Sequence, residues 1–297
     1  MIMLMEQLFI YIALGVLGLA MGSFAGATVW RLRARQLVQD KKDGEEYDKK
    51  EYKTLVPLAQ TKAAEDRSRC LHCGHTLAWY DLIPLISWIS TSGKCRYCKK
   101  TIGSFEPLIE LGTAAFFIAS YLLWPDQLAS YSEVVHFALW LIAGVMLAIL
   151  FAYDLKWFLL PNKAVFPLIG VGALFALITV SVAPDIAGTL INLAFAVLIL
   201  SGLYLAIWLL SRGQWIGFGD VKLGLALALL LGDYKLAIVA LFAANLIGCL
   251  IVIPGMIAGK LTRTTRVPFG PLLILGFVIA GLAGHSIVAA YMNLLNL

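Results

Sequence analysis

Long apolar runs separated by short polar breaks dominate this chain. A helix rises 1.5 Å per residue, so about 20 apolar residues cross a hydrocarbon core of about 30 Å. Runs that reach or approach this length cover residues 8–30, 107–124, 134–153, 164–183, 186–210, 236–258 and 270–292. An eighth, 215–232, is shorter and broken by Gly217, Gly219, Asp220 and Lys222. The pattern predicts an all-α polytopic membrane protein of about eight transmembrane helices. It divides the chain into a first crossing (1–32), a polar loop (33–105) and a seven-helix bundle (106–297).

Composition agrees with this division. Of the 297 residues 61% are hydrophobic and 14% charged, where soluble domains carry roughly 25% charged residues. Glu6 precedes the first run, no basic segment does, and the run is long enough to span, so it reads as a retained helix rather than a cleaved signal. Of the 23 Lys and Arg, 15 lie between Arg31 and Lys100. With eight crossings, 22 of the 23 fall on one side and only Lys235 on the other. The positive-inside rule makes that side cytoplasmic and places both termini outside. Acidic residues are interleaved with the basic ones through residues 40 to 66, which argues against nucleic acid as a partner; the lipid bilayer is the expected one. Residues 33 to 66 read as a solvated insert, partly helical or disordered. No internal repeat is visible.

Cys70-Leu71-His72-Cys73 and Cys95-Arg96-Tyr97-Cys98, with 21 residues between them, have the spacing of a zinc ribbon. Each pair presents two sulfurs from a tight knuckle, and Cys70, Cys73, Cys95 and Cys98 together would close a tetrahedral structural zinc site. The competing reading is two redox-active or disulfide pairs, which the reducing cytoplasm disfavours. His72 and His75 read as spacers, since four sulfurs already satisfy the ion, and Cys249 as helix packing. Within the spans, His136 and Asn245 read as interhelical hydrogen-bonding groups.

Two aspartates draw attention for chemistry. Asp154 closes the third run, and Asp220 lies in Gly217-Phe218-Gly219-Asp220-Val221-Lys222. The 12 residues from Val221 to Gly232 make about 18 Å of helix, so Asp220 is expected below the membrane surface. A charge near mid-membrane costs at least about 2.5–3.5 kcal/mol on insertion scales and defaults to a functional candidate. Both aspartates fall on the cytoplasmic side. Two carboxyls a few ångströms apart share one proton, and such a pair activates water: the ionised member takes its proton while the neutral one polarises a carbonyl. Gly217 and Gly219 would let backbone approach closely and break the helix. Lys222 either tunes a neighbouring carboxylate or snorkels to the headgroups. The competing reading makes both aspartates interfacial caps.

Taken together these stretches resemble the bacterial prepilin peptidases, or type IV leader peptidases, membrane aspartic proteases of the GxGD type. The resemblance is carried by Gly22-Ser23-Phe24 with Arg31-Leu32, the four-cysteine module with Trp79 to Pro84 inside it, and Glu106-Pro107-Leu108-Ile109-Glu110. It continues through Asp154-Leu155 with Pro161-Asn162, Gly217 to Leu223, and Pro268-Phe269-Gly270-Pro271. It implies that Asp154 and Asp220 are the catalytic pair in a loop with Gly217, Gly219 and Lys222. The implied substrate is the leader of a prepilin or pseudopilin, cut at the cytoplasmic face of the inner membrane. It also implies, for many members, methylation of the new N-terminus with S-adenosylmethionine. Glu106 and Glu110, one turn apart at the start of a span, would serve that transfer or leader recognition, or else simply favour the helix dipole. The rival class is an ion or solute transporter using buried aspartates, which predicts an inverted repeat and charges at the midplane. The oligomeric state is not legible.

Overall fold

The computed structural model describes residues 2–59, 67–124, 128–262 and 265–295. Parts of the polar insert (60–66), Asp126 and Arg263 lie outside the described residues. The chain forms two compact units, Met1–Tyr121 and Leu122–Leu297.

In the first unit, α1 (Ile2–Asp43) is one unbroken helix of 42 residues that runs past the first apolar stretch into the insert. A short helix, α2 (Lys49–Leu55), folds back on it. Asp48 caps α2 by accepting from the N–H groups of Lys50 and Glu51. Arg33 pairs with Glu51 at 2.6 Å, and Ala34, Leu37, Leu55 and Leu58 bury themselves against Trp30, Tyr47, Tyr52 and Leu71. The described part of the insert is therefore more than a solvated face. Its few apolar residues recur on the α1 side and in Leu55-Val56-Pro57-Leu58, enough for a small core that the surrounding charges mask in the sequence.

The cysteine module follows, with a five-residue helix α3 (Ile86–Ser90) between its halves. Then α4 (Phe105–Leu123) returns along α1. A Cβ on Gly18 or Gly22 would lie 2.6 or 2.5 Å from the Cα of Ala114 or Glu110, so these positions let two helix backbones touch.

The second unit is helical throughout its described residues: α5 (Tyr131–Trp157), α6 (Asn162–Val182), α7 (Ile186–Val197), α8 (Leu203–Ser211), α9 (Phe218–Leu231), α10 (Tyr234–Ile257) and α11 (Phe269–Leu294). The run 186–210 is one continuous rod in which a single π turn, Leu198–Gly202, joins α7 to α8. Among the described residues, seven helical segments are long and apolar enough to cross a membrane. The expected eighth crossing is α9, whose 14 residues make about 21 Å. It is also the most enclosed, with Leu223, Ala226, Leu227 and Ala228 fully buried. His136 bonds Thr179 across α5 and α6 as expected. Asn245 does not bridge helices; it donates to the Leu241 carbonyl one turn back on α10.

Candidate active site and metal-ligand cluster

Asp154 lies one turn from the C-terminus of α5, which ends where Phe158 turns left-handed (φ 56°) and donates its N–H to the Asp154 carbonyl. Leu159, Leu160 and Pro161 then reverse the chain into α6. Asp220 lies in the first turn of α9, its N–H donating to the Gly217 carbonyl. The two side chains are 5% and 9% exposed, and Asp220 lies near enough to feel the charge of Asp154. The structure thus brings together two aspartates separated by 66 positions.

A third segment holds them. The Gly270 N–H, in the first turn of α11, donates to Asp154 Oδ2 at 3.0 Å in a buried bond. A Cβ on Gly270 would stand 2.7 Å from that oxygen, so only glycine admits the carboxylate here. Leu160 packs between the segments: Cβ atoms on Gly219 and Gly270 would meet it at 3.0 and 3.4 Å. Gly219 therefore lets Leu160 approach closely. Gly217 keeps an ordinary extended backbone (φ −78°) as the cap of α9. Lys222 turns away from the aspartates: its Nζ donates to Asn162 Oδ1 and lies over the rings of Phe166 and Phe218. That bond ties Pro161-Asn162 to the glycine-aspartate stretch. Gly270 and Leu160 had no assigned role in the sequence; the Pro-Phe-Gly-Pro opening of a span was the available signal for the first.

In the first unit, the sulfurs of Cys70, Cys73, Cys95 and Cys98 lie within 4.8 Å of one another. The two knuckles repeat each other. Gly74 and Lys99 are both left-handed (φ 70° and 60°) and donate to the carbonyls of Cys70 and Cys95. Bridges Arg69–Thr76 and Lys94–Thr101 close them. Lys99 thus adopts the conformation for which the first knuckle uses glycine. Asp81, accepting from Arg96 and the Tyr97 hydroxyl at 2.9 Å each, joins the halves. His72 bonds the Thr101 carbonyl and His75 stacks on Tyr97, so neither belongs to the cluster. Burial pushes the Cys70 thiol up to about 12; at Cys95 burial is opposed by the backbone N–H groups of Cys98 and Tyr97 and by the Cys70 and Cys98 thiols, which together bring it to about 7. A tetrahedron of 2.3 Å metal–sulfur bonds has edges of about 3.8 Å, which this cluster fits; it could hold a metal ion.

Glu110 is buried and accepts from the Leu85 N–H at 2.7 Å and from Ser23. Leu85 stands at φ 59°, a costly backbone for a bulky residue, so Glu110 braces a strained turn. Glu106 accepts from Trp30 Nε1 at 2.9 Å through one oxygen. Ser23 also lines a cleft of about 310 Å³ with Phe24, Arg31, Leu82 and Pro84.

Both units match known families. Residues 16–124 match the bacterial peptidase A24 N-terminal domain, and 141–253 the type IV leader peptidase family. A prepilin leader peptidase/N-methyltransferase of Aeromonas hydrophila is 31% identical over 283 residues, covering 93% of this chain and 91% of the relative. The chain belongs to the type IV leader peptidase family. An Escherichia coli type 4 prepilin-like protein leader peptide-processing enzyme is 32% identical, with 87% and 88% covered. A Pseudomonas aeruginosa prepilin leader peptidase/N-methyltransferase is 28% identical, with 94% and 92% covered. No solved structure matches. As a leader peptidase family member with seven long apolar helices, the protein is a multi-pass membrane protein.

Proposed function

We propose that this protein is a membrane aspartic endopeptidase that removes the leader of type IV prepilins or pseudopilins at the cytoplasmic face of the inner membrane. The observation that carries the reading is the convergence of Asp154 and Asp220, from α5 and α9, in a buried site with a backbone donor fixed on one of them. Enclosure strengthens the interaction between the carboxyls, so a single proton is shared. The ionised member deprotonates a water as it attacks the scissile carbonyl, and the neutral member donates to the developing oxyanion. The Gly270 bond occupies Asp154 Oδ2 and leaves its other oxygen for this exchange. On this reading Gly217, Gly219 and Lys222 shape the loop around Asp220. Residues 106–297 then carry the hydrolytic machinery and 33–105 the metal-held loop.

For the four-cysteine cluster the ion is zinc. It is structural, because all four tetrahedral positions are taken by protein and none is open to substrate. The cationic side of the chain, with the module, faces the cytoplasm, where a basic leader arrives.

A second activity, methylation of the newly exposed amine with S-adenosylmethionine, is favoured by the carboxylates of buried Glu110 and half-buried Glu106 near the Ser23 cleft. Anionic groups beside a small cleft with an aromatic wall fit a sulfonium or a leader cation. The methyl donor would supply the one-carbon group; these residues would hold the cationic partner. Nothing in the structure favours a transporter. Incubating purified protein with a prepilin, with and without S-adenosylmethionine, and weighing the product N-terminus tests both steps. Leader loss in both samples with a gain of ~14 Da (one CH₃ in place of H, a net CH₂) only in the second is expected; an intact prepilin in both would sink the reading.

A further inference from the structure

Tyr204 of α8 is a large polar residue near Asp220 that the mechanism above does not use. Its side chain is 4% exposed, and its hydroxyl has no hydrogen-bond partner among the described residues. A buried hydroxyl left unpaired costs stability that a phenylalanine of the same shape would recover. Its surroundings explain why a hydroxyl is kept there. The ring packs edge-on against Phe269, 5.3 Å between centroids, and the next residue is Gly270, the donor to Asp154. On its other side Tyr204 interacts electrostatically with Asp220. It therefore adjoins the supports of both carboxylates.

The backbone upstream looks built to aim it. The Leu203 N–H reaches back to the Leu198 carbonyl, closing the π turn. Such a turn inserts one residue, so every later side chain is rotated by about 100° relative to an uninterrupted helix. The same turn is pinned to α9. Ser201 Oγ donates to the carbonyl of Val221, the residue after Asp220, at 2.9 Å in a buried bond. A Cβ on Gly224 would fall 2.0 Å from the Leu200 carbonyl oxygen, so the two backbones are in direct contact. The turn that orients Tyr204 thus also sets the depth of the first turn of α9. Single π turns inside α-helices recur at functional sites.

We propose that Tyr204 is a positioning residue of the aspartate pair, its hydroxyl donating a hydrogen bond to the Asp220 carboxylate, directly or through one water, when the site is loaded. The proposal rests on the reading of Asp154 and Asp220 as the reactive pair. It separates two properties that a structural hydroxyl would lose together. Tyr204→Phe keeps the ring on Phe269 and removes only the unpaired O–H, so the melting temperature should stay or rise. The missing charge-assisted bond should lower kcat for prepilin cleavage about ten- to a hundredfold, with KM unchanged.

The experiment measures melting temperature, kcat and KM of purified full-length Tyr204→Phe, with Asp154→Asn and Asp220→Asn alongside. Reduced kcat at wild-type KM and undiminished stability supports the proposal. Wild-type kcat overturns it, as does a fall in kcat accompanied by a matching fall in melting temperature, which would mark a folding role. If either aspartate variant still cleaves at the wild-type rate, the reactive pair itself is wrong, and that failure is visible independently of Tyr204.

Discussion

The thiols of the first unit and the carboxylates of the second are assembled in different ways. Cys70 and Cys98, 28 positions apart, are brought together by two knuckles that each close within six residues. Asp154 and the backbone donor that holds it are 116 positions apart and meet only because helices pack. The first site is local, and it completes itself once a cation replaces thiol protons. The second is made by the whole bundle, and its polar groups are held by burial and by one buried backbone bond. A local site is built to survive remodelling around it. A bundle-made site transmits every change in packing to the chemistry.

Substitutions that break this contrast can be ranked. The largest effect is expected from Asp154→Asn or Asp220→Asn. Cleavage of a prepilin should fall by roughly three or more orders of magnitude, while membrane insertion and melting temperature hold. Residual cleavage near the wild-type rate would mean that the aspartates merely cap helices. Next comes Gly270→Ala, which puts a methyl group where Asp154 Oδ2 lies; kcat should drop on the order of tenfold to a thousandfold with the metal content untouched. An unaltered rate would show that the buried bond does not position Asp154.

Cys70→Ser tests the other side of the comparison. Bound zinc, measured by elemental analysis, should fall from one equivalent to near none, and the first unit should become sensitive to proteolysis. Cleavage should be reduced only a few-fold, since four-sulfur zinc is structural. Undiminished zinc and folding would remove the metal role from this cysteine. The smallest effect is expected at Lys222→Met, whose ammonium turns to Asn162 rather than to the carboxylates: kcat within about threefold of wild type. A far larger loss would return Lys222 to the reactive centre.

How much of this could be read beforehand follows the same contrast. The spacing of Cys70, Cys73, Cys95 and Cys98 predicts the cluster because the knuckles need only local turns. The seven long helices follow directly from the apolar runs. Asp154 and Asp220 stand out because each is an acid in a greasy setting, but nothing in one dimension shows Gly270 or Leu160 between them. Tyr204 is hidden further. Its orientation depends on a π turn, and a backbone register shift leaves no mark on hydrophobic periodicity. The small core of Ala34, Leu37, Leu55 and Leu58 was masked by charge, since four apolar side chains among so many lysines and glutamates do not form a visible period. The helical return of Lys222 to Asn162 is equally silent, because a snorkelling lysine and one that clasps a neighbouring helix look alike until the partner is placed.

At 42 residues α1 measures about 63 Å, roughly twice what the bilayer core requires. Its C-terminal stretch, beyond the apolar run, is a mast with no hinge in it, stayed by the Arg33–Glu51 pair and the small core at its foot. A tug on the appended segment is therefore delivered to the crossing itself, at the place where Gly18 and Gly22 seat it against α4.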